Sequence, residues 1–162
     1  MKGYEPSLLE KLFDEAPHSV AQGKFTRHTL EQFKESVALD VEALLNSRLV
    51  MEEHVLKEFP HCQASLMTYG LRDVSSRSLA SSVDRAFICT ALEKAITLHE
   101  TRLKDIRVSL DEHRRASGGL RFSISAMLIV HPAREPVSFD ALLQPSTLQY
   151  RVSKTRRLAV SE

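Results

Sequence analysis

The sequence predicts an α+β fold, with N-terminal helices packed on a small, mainly antiparallel sheet formed by the C-terminal third of the chain. Three observations carry that reading. Leu120, Phe122, Ile124, Ala126, Leu128 and Val130 alternate with Arg121, Ser123, Ser125, Met127, Ile129 and His131, the period-two pattern of a strand with one wholly apolar face. Leu30, Phe33, Val37, Val41, Leu44 and Leu45 recur at helical spacing, as do Leu79, Val83, Phe87, Ala91 and Ala95 with Ile88, Leu92 and Ile96 beside them. Apolar clusters at 103–110, 137–139 and 148–152 flank the long strand and supply its neighbours.

The elements follow in order. Leu8, Leu9, Leu12 and Phe13 make residues 7–15 a short amphipathic helix between Pro6 and Pro17, and a polar linker follows to Lys24. Residues 1–24 are thus an N-terminal helix and linker, 25–152 a single α+β domain, and 153–162 a basic polar tail. Thr29 and Gln32 have the spacing of a capping box, and the helix they open runs to Asn46 with an acidic outer face that includes Asp40 and Glu42. Between Leu49 and Pro60 the pattern is mixed; Cys62 begins a possible helix that stops at Gly70. Asp73, Ser75, Ser76 and Ser78 offer N-caps for a helix over about 79–98, whose broad apolar arc implies burial against the sheet and another helix. Both faces of the long strand turn apolar from Met127 to Val130, which predicts that it ends between two layers.

Composition excludes several functions. The 162 residues are 43% apolar, enough for one core, and a net charge of +1 argues against a dedicated nucleic-acid binder and against electrostatic membrane attachment. No apolar run approaches the roughly 18 residues of a membrane span, and the first ten residues lack a signal-peptide core, so the expected location is cytoplasmic. In that compartment Cys62 and Cys89 are expected to be free thiols.

Motifs of catalysis are missing. The chain has no Gly-x-Ser-x-Gly elbow, phosphate-cradling glycine loop or His-Glu-x-x-His pair, and the adjacent His61 and Cys62 have no second pair to complete a metal site. No cofactor is implied. Glu42, Asp73, Glu100 and Asp105 include carboxylates that could flank a sugar, but salt-bridge and capping roles account for them more simply.

Four ordered blocks do carry a resemblance. Residues 36–48, SVALDVEALLNSR, are similar to the S-V-x-x-D-L-E-x-L-L-N-T-R signature of the TssE family of type VI secretion baseplate subunits, which is related to the T4 wedge protein and called gp-twenty-five-like or lysozyme-like. LMTYGLRD at 66–73 resembles that family's L-x-N-Y-G-L-P-D, LRFSI at 120–124 its L-R-F-x-I, and PVSFD at 136–140 its P-V-x-F-D. Two departures stand out. Glu100-Thr101-Arg102 occupies the place of the family's Glu-Pro-Arg, and Arg72 replaces a usual proline. An extended backbone through Thr101 would leave Glu100 and Arg102 on one side of the chain.

The resemblance implies a structural role without catalysis. A TssE-like subunit would sit in a cytoplasmic baseplate wedge at the inner face of the inner membrane, with TssF and TssG, TssK nearby and VgrG at the hub, and would seed the contractile TssB–TssC sheath. Wedge contacts would then involve Glu100 and Arg102, together with Asp40, Glu42 and Arg48 at the polar end of the long helix. The sheath-facing edge would be the last strand, Thr147, Leu148, Gln149, Tyr150, Arg151 and Val152, because an open edge presents unpaired N–H and C=O groups. The alternatives are a muramidase-like hydrolase and an anti-adaptor-like regulatory protein of the same fold.

Overall fold

In the computed structural model the described residues are 4–5, 28–51, 54–74, 77–78, 81–111 and 119–155. The expected N-terminal helix, the 79–80 start of the second long helix, most of loop 111–119 and the end of the basic tail lie outside them.

Helix α1, Leu30–Asn46, begins where its sequence signals it should. The Thr29 hydroxyl accepts from the Gln32 backbone N–H, and the Gln32 side chain accepts from the Thr29 N–H at 2.8 Å, so two otherwise orphaned donors are satisfied reciprocally. Phe33, Val37, Val41, Leu44 and Leu45 are buried along one stripe. Tyr4 stacks on Phe33 at 5.4 Å and forms an isolated bridge with His28, fixing the entry to the helix.

After α1 the chain makes two short 3-10 turns, Pro60–Cys62 and Leu66–Thr68, in place of the helix expected from Cys62. The reason is local competition for the backbone. The Ser65 hydroxyl donates to the Cys62 carbonyl at 2.7 Å and the Thr68 hydroxyl to the Gln63 carbonyl at 2.8 Å, which closes tight turns at the expense of helical bonds. Gly70 then adopts φ +122°, with its α-carbon so close to α1's exit that a Cβ would lie 2.6 Å from the Ser47 carbonyl oxygen. This approach lets the Leu71 N–H donate to that same oxygen at 2.8 Å.

Helix α2, Ser82–His99, is capped by Ser81, whose hydroxyl accepts from the Asp84 N–H at 3.3 Å. Its buried residues are Ile88, Leu92, Ala95 and Ile96. Val83, expected on the core stripe, is instead 76% exposed. The two apolar stripes of this helix are close to equal in sequence, and it is the 88/92/95/96 side that packs into the core shared with α1 and the sheet.

Four strands follow: β1 (Leu103–Leu110), β2 (Leu120–Val130), β3 (Ala133–Gln144) and β4 (Gln149–Lys154), an antiparallel meander in the order β1-β2-β3-β4. β1 breaks register between Lys104 and Arg107, where Asp105 takes φ +53°, and this bulge brings both Leu103 and Ile106 to the core face. Phe122, Ile124, Ala126, Leu128 and Val130 of β2, Val137, Phe139, Ala141 and Leu143 of β3, and Tyr150 and Val152 of β4 complete that face. Met127 and Ile129 point the other way, are half-buried and take no part in the core, so among the described residues β2 does not end between two layers.

The last strand also starts later than expected. Thr147 and Leu148 belong to the β3–β4 turn, with Leu148 at φ +55° and 45% exposed, and the strand runs on through Ser153 and Lys154. Leu148's left-handed backbone closes the turn, and the regular ladder with β3 begins at Gln149.

Candidate functional site

Two groups of polar side chains stand out from this frame, and both are built on α1. The first lies where α2 ends. The Glu100 N–H closes the helix on the Ile96 carbonyl at 2.8 Å, and the Leu103 N–H donates to the Glu100 carbonyl at 3.2 Å, so residues 100–102 form a turn into β1 where an extended backbone was expected. The turn brings the flanking charges together. Arg102 donates from Nε to Glu100 Oε1 at 2.7 Å and from its backbone N–H to the same oxygen at 3.1 Å, while Nη2 bonds both Glu100 Oε2 and, at 2.6 Å, Asp40 Oδ2 on α1.

Glu100 is only 7% exposed, whereas the Arg102 and Asp40 side chains keep 24% and 27% of their surface. The guanidinium lies 5.8 Å from the centre of the Phe33 ring. Burial acts to lower the Arg102 pKa, but hydrogen bonding and charge from Glu100, followed by those from Asp40, raise it further above its ordinary value. Nearby, burial and then the charges of Asp40 and Glu100 push the Tyr69 phenol upward. The triad therefore fastens α1 to the α2–β1 junction with a permanently charged arginine at its centre.

The second group lies along β4. Alternation of the ladder points the backbone groups of Arg151 and Ser153 at β3 and those of Tyr150 and Val152 away from it, in keeping with the bond from the Thr155 N–H to the Ser138 carbonyl. The outward groups are taken. The Asn46 carboxamide donates to the Tyr150 carbonyl at 2.8 Å and accepts from the Tyr150 N–H at 2.8 Å, and Glu42 Oε2 accepts from the Val152 N–H at 2.7 Å. Farther along, Lys154 Nζ reaches Glu31 Oε2 at 3.3 Å. One stripe of α1, from Glu31 to Asn46, thus stands in for a fifth strand.

The opposite edge is treated alike. Glu93 Oε2 on α2 accepts from the outward Val108 N–H of β1 at 3.3 Å, and the Leu110 backbone N–H lies against the Cys89 thiol. Burial, then the charge of Glu93, pushes that thiol up.

Of the residues singled out in sequence, Glu100, Arg102 and Asp40 come together, and Glu42 does not join them. Arg48 is exposed and pairs through its backbone with Leu71 in an isolated parallel bridge. Gln149 and Arg151 project from the terminal strand. The expectation that β4 keeps free backbone on its outer side does not hold at Tyr150 and Val152, because α1 is long enough to lay Glu42 and Asn46 along it. In the sequence Asn46 reads only as a helix exit. Its i, i+4 relation to Glu42 on the stripe through Glu31 was the available signal.

Neither group is arranged for catalysis or metal binding. One guanidinium engages both Asp40 and Glu100, and among the described residues no three His, Cys, Asp or Glu side chains could hold a metal ion. No described helix is long and apolar enough to cross a membrane.

The family model for baseplate wedge protein gp25 matches residues 31–133, a span that holds the whole triad, α1 from its second residue, α2 and the first two strands. The chain belongs to the gp25 family. A comparison with curated proteins gives no match. The family is described as one of baseplate wedge components, and Asp40, Glu42 and Asn46, all within the matched residues, have defined bonds here. β4 itself lies beyond the matched residues.

Proposed function

We propose that this protein is a baseplate wedge subunit of a type VI secretion system, held with TssF and TssG in a cytoplasmic wedge at the inner membrane, with TssK beside it and VgrG at the hub. Its task in this reading is to initiate polymerisation of the TssB–TssC sheath. The observation that carries the proposal is a terminal strand, β4, at the end of an antiparallel meander in a chain of the gp25 family. A strand in that position can be extended by main-chain hydrogen bonds from another chain once Asn46 and Glu42 leave its outward groups, while the Tyr150 and Val152 side chains hold it on the core. The part-exposed Asp40–Arg102–Glu100 triad is the surface proposed for the wedge helices, because charge-assisted groups on a rigid junction favour one docking geometry.

The test uses a strain lacking this chain and a fluorescent sheath subunit. Wild-type protein is expected to restore sheath foci and to co-purify with TssF and TssG. Lys154→Pro removes an outward N–H beyond the bonds of Asn46 and Glu42, and is expected to keep co-purification but abolish foci. Wild-type foci with that variant would refute the sheath-initiating role of β4, and failure of the wild-type protein to co-purify would refute the wedge assignment.

A further inference from the structure

We infer that Asn46 and Glu42 form a releasable clasp on β4, so that a sheath strand docks only by displacing them; this rests on the sheath-initiating reading above. The geometry is that of a substitute strand. By both donating to and accepting from Tyr150, the Asn46 carboxamide copies the two-bond pairing of an antiparallel neighbour, and Glu42 supplies the next acceptor at Val152. A docking strand would replace them with one N–H and two C=O groups at the same positions.

The clasp side chains stand outside the buried core. Asn46 is the last residue of α1 and exposed, and Glu42 is half-buried. Tyr150 and Val152 are 4% and 6% exposed, so they keep β4 seated while its outer bonds are exchanged. In the unassembled subunit the clasp also blunts the pairing tendency that an unprotected edge would have.

The effect is measurable as a gain of function. Asn46→Ala removes two of the three bonds, and full-length variant is expected to bind purified TssB–TssC about tenfold more tightly than wild type, with a further rise for the Asn46→Ala/Glu42→Ala double variant. Glu42→Gln keeps the acceptor and is expected to bind like wild type. Amide exchange monitors folding in the same samples: Asn46→Ala should expose the Tyr150 amide while those of Arg151 and Ser153 stay protected. Equal binding by all variants, or weaker binding by a folded Asn46→Ala, would overturn the clasp and leave the sheath reading intact. Absence of binding by every form would overturn the sheath reading and the clasp with it.

Discussion

Replacing Arg102 with methionine keeps the aliphatic stem and deletes the guanidinium, leaving Glu100 at 7% exposure beside Asp40 without the cation they share. Breaking a fully buried pair costs about 3–5 kcal/mol, because the stranded charge keeps its desolvation penalty. Asp40 and Arg102 retain 27% and 24% side-chain exposure, so water offsets part of this and the expected loss is about 2–4 kcal/mol. At roughly 3 °C per kcal/mol for a chain of this size, melting should fall by about 6–12 °C. Urea unfolding followed by circular dichroism at pH 7 gives the loss directly, and Arg102→Met/Glu100→Gln should recover more than half of it by removing the stranded charge. A loss under about 0.5 kcal/mol, or no recovery in the double variant, would refute the triad as a structural fastener.

Tyr150→Phe should stabilise the protein by about 1 kcal/mol, since its buried hydroxyl has no hydrogen-bond partner among the described residues. Burial, with a smaller contribution from Cys89, pushes the Tyr150 phenol from 10.0 up to about 12, so the unfolded chain ionises first as pH rises through that window. About 2–3 kcal/mol of stability should therefore be lost between pH 10 and 12 in wild type, and Tyr150→Phe should remove that loss from alkaline denaturation curves. Gly70→Ala should cost at least about 2 kcal/mol in urea unfolding, because φ is +122° and the new Cβ would meet the Ser47 carbonyl at 2.6 Å. Thr101→Pro, which restores the proline of the resembling family in an exposed turn, should raise stability by about 0.4–1 kcal/mol through the unfolded state, and a loss above that size would show that the turn needs another φ.

Elements governed by neighbours in sequence were legible, and those decided at long range were not. The Thr29–Gln32 box and the Phe33–Leu45 stripe mark α1 locally, and strict alternation marks β2. In α2 two apolar stripes compete, and only packing decides that Ile88 and Leu92 go inside while Val83 stays out. The spacing of Leu103 and Ile106 fits no regular strand because a bulge at Asp105 intervenes. Within the candidate site, the closeness of Glu100 and Arg102 follows from sequence, but Asp40 lies 62 residues from Arg102 and Asn46 lies 104 from Tyr150. Arg102→Glu, a natural binding probe from sequence alone, would crowd three carboxylates at one junction and disturb the fold together with any interface.

The most direct test of the central claim is the structure of the assembled baseplate with its first sheath ring attached. The expected result is an extended strand of the sheath hydrogen-bonded to Tyr150 and Val152 on the outer side of β4, with Asn46 and Glu42 turned away from it. A sheath subunit seated elsewhere, with the three α1–β4 hydrogen bonds still in place, would contradict it.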